Sequence, residues 1–284
     1  MLHTFYVFTT LIMIASANVH YHTTSTILST LETYCVDQHL SCEWHDDVLV
    51  LDWNPLGRET LDQLWVFNEH ARERITAEIA LYTIRTLLKN RPQRRVTIIP
   101  VLNVWGRKQV DSGRKCLRKN KHGVDTNRNY QIAHRHAYPK HSEEYQGPHA
   151  LSEHESKLVA ALLHQGVQRY VNVHSGEFSM YMPFDSSRNP PPHAERMRAF
   201  LRTMQPLCPQ CVEGSAAVVS SYKAYGTSVD YAIRVAHVPE AYTFEVYGAL
   251  SNDCETMFNP MGSSEYEQIV LMWRTILLRS LHII

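Results

Sequence analysis

The run VTIIPVL at residues 96–102 constrains this chain most. It is almost continuously apolar and rich in β-branched residues, and it is too short for a buried helix. A strand with one face in water would alternate, so a continuous run asks for a strand covered on both faces. Pro100 has no N–H to give to a sheet ladder, which places a bend or the strand end there. The rest of the chain must therefore supply further strands on either side and helices above and below.

It does. Strands are predicted at 48–53 (VLVLDW), 64–67 (LWVF), 170–173 leading to His174, 179–182 and 242–246 (YTFEV). Between them, near-helical spacing of Ile27, Leu28, Leu31 and Tyr34 predicts a helix over 26–39. Ile75, Ile79, Tyr82, Leu87 and Leu88 predict a longer one that Arg91-Pro92 ends. Further helices are expected at 153–164, with Ser152 as N-cap and Glu155 completing a capping box, at 192–204, at 227–236 capped by Ser228 or Thr227, and at 265–281. Strands alternating with helices define an α/β fold: one domain with a mixed, mostly parallel central sheet covered by helices on both faces. With 284 residues, 44% of them hydrophobic, the chain can bury one large core, and no repeat, low-complexity tract or linker divides it.

Lys+Arg and Asp+Glu both number 28, so the balanced charge selects neither nucleic acid nor a membrane surface as partner. An apolar run over residues 5–15 is too short to span a bilayer and is followed by Ala15-Ser16-Ala17, an A-x-A cleavage pattern. A signal peptide over 1–17 and a secreted domain over 18–284 are expected, with no membrane contact after cleavage. The absence of Lys or Arg before the apolar run leaves an uncleaved anchor as the alternative. Six cysteines in a secreted chain allow up to three disulfides, whose pairing stays open. Cys208 and Cys211 form a C-x-x-C without a second pair at zinc-ribbon spacing, which favours a structural disulfide. No N-x-Ser/Thr sequon is present.

The chemistry begins at His70 and Glu73, three residues apart in FNEHARER just ahead of the long helix, so that both side chains can project from one helix face. An imidazole and a carboxylate make a zinc-type pair, and a third His would leave the fourth position open. By itself such a pair is equally the start of a surface helix, with Glu73 favoured by the helix dipole. Its meaning comes from the segments that share its position after strands: VDTNRNY at 124–130, His174-Ser175, and YTFEV.

Taken together and in order, HARE, VDTNRNY, GPHALSEHES, YGTSVDYA and YTFEV resemble the zinc carboxypeptidases of the carboxypeptidase A family, over nearly the whole chain from Thr26 to Phe258. The resemblance implies one zinc held by His70, Glu73 and His174. It implies a water polarised by that zinc to a pKa near ~7, and Glu245 as the general base that passes the proton to the leaving amine. Arg128 with Asn127 would hold the substrate's terminal carboxylate, Tyr222 would close over it, and Ser175 and Arg72 would contact the peptide. A guanidinium suits the carboxylate because its donors form a planar fork. The partners implied are peptide or protein C-termini, and a monomer is expected, made without a globular activation segment.

One segment departs from the pattern. The family places an arginine to stabilise the oxyanion; aligning RKNKHG on the family's longer form puts Lys121 there, and a shorter-loop form puts His122 there. Arg118 is the remaining alternative. For specificity, Val229 would favour an apolar terminal residue, whereas Asp185 in MPFD would favour Arg or Lys, the preferred reading. The missing oxyanion arginine also keeps open a carboxypeptidase-like binding protein with weak or no turnover. A zinc deacylase acting on N-acyl amino acids is a third reading.

Overall fold

The computed structural model describes residues 19–36, 40–130, 138–220 and 222–283. The expected signal peptide lies outside them, as do residues 37–39, the end of the first expected helix. Among the described residues the strands are β1 (Leu40–His45), β2 (Val48–Trp53), β3 (Gln63–Phe67), β4 (Val96–Ile99), β5 (Arg169–His174), β6 (Glu177–Met182), β7 (Val212–Ser215) and β8 (Glu240–Tyr247). They form one eight-stranded sheet in the order β1-β2-β4-β3-β5-β8-β6-β7. β4, β3, β5 and β8 run parallel at its centre; β2 and β6 flank them antiparallel, with β1 antiparallel to β2 and β7 parallel to β6.

The VTIIPVL run becomes β4, every residue of which is buried, and the strand stops at Ile99, immediately before Pro100. Helices are α1 (Thr24–Tyr34), α2 (Arg74–Asn90), α3 (Val104–Asp111), α4 (His154–Leu163), α5 (Ala194–Met204), α6 (Ala216–Val219), α7 (Ser228–Arg234), α8 (Cys254–Phe258) and α9 (Ser263–Ser280). α9 and α5 cover one face. Trp273 packs tilted against Phe244 at 5.4 Å and donates to the Val246 carbonyl, while Phe200 lies 4.5 Å from Tyr242. The alternate side chains of β5 and β8, among them Asn172, His174 and Glu245, point the other way, toward the α7 side, where Ser228 bonds Asn172.

Three expectations change. α4 is capped at Glu153, not Ser152: the Ser152 hydroxyl donates to Glu153 Oε1, and the Glu153 N–H goes to Asn129 Oδ1, so no capping box forms. Neither Ser228 nor the Thr227 side chain caps α7; the Ser228 N–H is taken by Asn127 Oδ1 from across the site. β1, β7, α3, α6 and α8 were not anticipated. β1 is an edge strand of mixed polarity held in register by β2 and by the Cys35–Cys42 disulfide, features that no local periodicity announces. Cys116–Cys254 and Cys208–Cys211 are the other two bonds, so the C-x-x-C is structural.

Candidate metal centre and substrate cavity

The carboxyl ends of β3, β5 and β8 open into one cavity of about 290 Å³, where an α/β sheet places its ligands. At the end of β3, Asn68 takes a positive φ of 51°, a conformation Asn tolerates. Its amide donates to the carbonyls of His70 and Glu73, folding the chain into a tight turn. His70 and Glu73 therefore meet in that turn, with the Glu73 N–H bonded to the His70 carbonyl, and α2 begins only at Arg74. The pair is not on a helix face as expected. Gly106 in α3 lets this turn pack, since a Cβ there would come 2.8 Å from the Ala71 Cβ.

His174, the last residue of β5, completes the group. One donor atom each from His70, Glu73 and His174 lie within 4.8 Å of one another, all buried. His70 Nδ1 is 2.7 Å from Glu73 Oε1, and His174 Nδ1 is 3.1 Å from both Glu73 Oε2 and His70 Nδ1. Two imidazole nitrogens facing each other at that distance beside a carboxylate suit a shared cation, and two nitrogens plus one oxygen suit zinc. Burial opposes charge on Glu73, but the two imidazoles hold it below the usual carboxylate range; burial likewise opposes charge on His174, and Glu73 raises it.

Behind the donors sits a layer that sequence reading missed. Asp125 Oδ1 is 3.1 Å from His70 Nε2, and its Oδ2 accepts from both Nε and Nη2 of Arg118. Burial opposes its charge, yet the Arg118 guanidinium keeps it well below the ordinary range. Glu69 Oε2 lies 3.5 Å from His174 Nε2 and accepts from Asn172. A carboxylate on the far nitrogen of each imidazole fixes ring orientation. Asp125 stands inside VDTNRNY and Glu69 beside His70, so position alone could have flagged them.

Glu245 follows His174 across the β5–β8 register. Its Oε2 is buried without a hydrogen-bond partner among the described residues, and burial, then the nearby Glu73, push the carboxyl up to about 8 against the opposing pull of His174. Asn127 Nδ2 is 3.4 Å from His174 Nε2, and the Ser175 hydroxyl is committed to the Phe258 carbonyl while its N–H faces Glu73. Arg128 is 6% exposed, and Gly226 lets its backbone close in, because a Cβ there would come 2.3 Å from the Arg128 carbonyl. Arg72 lies 4.3 Å over the Phe258 ring, and Tyr222 stands 60% exposed at the rim.

Two expected residues stay away. Lys121 is exposed and does not line the cavity; Arg118 does. The reason is a reversal over 120–124, in which the Asn120 side chain accepts from the N–H groups of His122 and Val124. This turns Lys121 outward and leaves His122 paired with Glu153. Val229 is buried in the core and is absent from the lining, whereas Asp185 is part of it. Burial and the neighbouring Asp230 push the Asp185 carboxyl up to about 7.

A mixed sheet with a buried His/Glu/His donor set at its strand ends defines an α/β protein with a candidate metal site. The chain belongs to the zinc carboxypeptidase family, whose model matches residues 62–274. It is 26% identical over 213 residues to a carboxypeptidase B of Helicoverpa zea, a match covering 64% of this chain and 49% of that one, so it spans about half of that relative. Its fold is similar to that of bovine thrombin-activatable fibrinolysis inhibitor, solved in complex with tick carboxypeptidase inhibitor. There the TM-score is 0.78 and the identity 21%, with 93% of this chain and 97% of that one covered. It is also similar to a carboxypeptidase A of Helicoverpa armigera, with a TM-score of 0.77, 18% identity, and 92% of this chain and 73% of that one covered. At these identities the structural likenesses speak for the fold.

Proposed function

We propose that this protein is a secreted zinc carboxypeptidase that hydrolyses the last peptide bond of peptides or proteins, with a preference for C-terminal Arg or Lys. One observation carries the reading: a single cavity holds the His70/Glu73/His174 donor set, the unpartnered carboxyl oxygen of Glu245, and the buried guanidinium of Arg128. Zinc at the donor set would supply Lewis acidity to a carbonyl oxygen and acidify a water. Glu245, adjacent but outside the donor set, takes a proton from the attacking water and returns it to the leaving amine. Arg128 receives the terminal carboxylate, with Asn127 beside it and Tyr222 at the opening.

Arg118 is the donor we assign to the carbonyl oxygen as charge develops there. It lines the cavity, and Asp125 holds its guanidinium by two nitrogens. An arginine in this role removes the reason for a binding protein without turnover. Asp185 in the lining, with Val229 absent from it, supports the basic preference, since a carboxylate shielded from water gains from a cationic partner.

The test is residue release from short peptides ending in Arg, Lys, Phe or Leu, with zinc, with chelator, and with Glu245→Gln. Chelator-sensitive release of single terminal residues, fastest for Arg or Lys and lost in Glu245→Gln, is expected. Zinc-loaded protein that releases nothing from any of them would sink the reading.

A further inference from the structure

Two consecutive glutamates reach the two arginines assigned to substrate. Glu143 Oε2 accepts from Arg72 Nη1 at 2.8 Å, and Glu144 Oε1 accepts from Arg128 Nη2 at 2.9 Å. Glu143 is 60% exposed at its side chain and Arg72 retains the Cys116 carbonyl as a second acceptor, so that pair is a rim contact. The Arg128 pair is different. Its side chain is 4% exposed against 33% for Glu144, so the carboxylate comes from the solvent side to cover a guanidinium that is otherwise enclosed.

Which nitrogen it takes matters. A guanidinium offers two edges for a two-pronged grip on a carboxylate, Nε with Nη2 and Nη1 with Nη2, and Nη2 belongs to both. In Arg128, Nη1 donates to the Asn127 carbonyl and Nη2 to Glu144, a side-chain hydrogen bond also links the guanidinium to Tyr138, and Nε is buried with no acceptor among the described residues. Glu144 thus engages the nitrogen that an incoming carboxylate needs on either edge, and the unpaired Nε beside it marks an edge still short of one acceptor.

We propose that Glu144 is an internal carboxylate that occupies Arg128 in the free protein and is displaced by the terminal carboxylate of the substrate, so that it sets the affinity for free C-termini. The proposal rests on the carboxypeptidase reading. Its partial exposure and its place on a loop, outside helix and strand, let Glu144 swing into water while Arg128 stays enclosed. A substrate then replaces one ion pair with a better one, and the difference is its binding gain. A peptide whose C-terminus is blocked as an amide has no charge with which to displace Glu144.

The experiment compares calorimetric binding of a short peptide ending in Arg, and of its C-terminal amide, to zinc-loaded Glu245→Gln protein with and without Glu144→Gln. Steady-state kinetics are run in parallel on the chain carrying Glu144→Gln alone. Removing a competing, partly exposed ion pair should tighten the free-carboxylate peptide about three- to tenfold, lower KM by a similar factor, and leave kcat and amide binding unchanged. Weaker binding in Glu144→Gln would make Glu144 a positioning residue for Arg128 and overturn the proposal, as would unchanged binding of a peptide that the parent protein binds and cleaves. If neither protein binds the peptide and no terminal residue is released, the carboxypeptidase reading falls and takes this proposal with it.

Discussion

The two ends of the cavity are built differently. At the floor, His70, Glu73, His174 and Glu69 are each 3% exposed or less and are carried on or beside strand ends, with the equally buried Asp125 reaching His70 from a loop. At the mouth, Arg72, Tyr222, Glu143 and Glu144 sit on loops in contact with solvent, and only Arg128 is enclosed. The floor is held by the sheet's own hydrogen bonding, which cannot shift one residue without moving a whole strand. The mouth is held by ion pairs that water can replace at small cost. On the proposed function, chemistry belongs to the rigid end and selection to the exchangeable one, and changes at the floor should alter rate while changes at the mouth alter affinity.

The sharpest way to break that division is Glu245→Gln. It keeps shape and the donor set but removes the proton acceptor, so kcat should fall about 10²- to 10⁴-fold with one zinc still bound, as read by metal analysis beside kinetics. A large KM effect at constant kcat would contradict the role of Glu245 as proton acceptor. Next, Arg118→Ala should cost about 10²- to 10³-fold in kcat, the usual loss for one oxyanion donor, while Lys121→Ala should change little. The reverse ranking would restore Lys121 as that donor.

Asp125→Asn tests the layer behind the donors. Weakening the carboxylate behind His70 should loosen zinc about 10- to 100-fold in a competitive chelator titration, and it should also impair kcat because Arg118 loses its anchor. Intact zinc affinity would show that Asp125 serves Arg118 alone. The smallest effect concerns Asp185 at the selecting end. Its carboxyl, raised to about 7 by burial and Asp230, is protonated below that pH and charged above it. A cationic substrate binds the charged form, so KM for Arg-ending peptides should drop about tenfold between pH 6 and 8 while KM for Leu-ending peptides does not follow. Equal pH dependence for both would remove Asp185 from specificity.

Much of this was legible in the chain. The continuous apolar run of β4 demanded cover on both faces, Pro100 marked its end, and the alternation of strands with helices carried the fold class. His70 and Glu73 stood out by their spacing just after a predicted strand, and His174 and Glu245 through the resemblance of the ordered motifs to the family. Sequence left alternatives open where a position depends on the path of a loop. Lys121 and Arg118 are three residues apart, and only the Asn120 reversal decides which faces inward.

The same holds for pairs distant in sequence. Sequence alone determined the central strands, the longer helices that cover them and the identity of the chemical groups, because periodicity and residue type are properties of short stretches. Tertiary structure alone decided that Asp125 stands between His70 and Arg118, that Asn127 caps α7, and that Glu144 meets Arg128. Those contacts are set by where loops close in space, and loop closure depends weakly on sequence length and leaves no periodic trace.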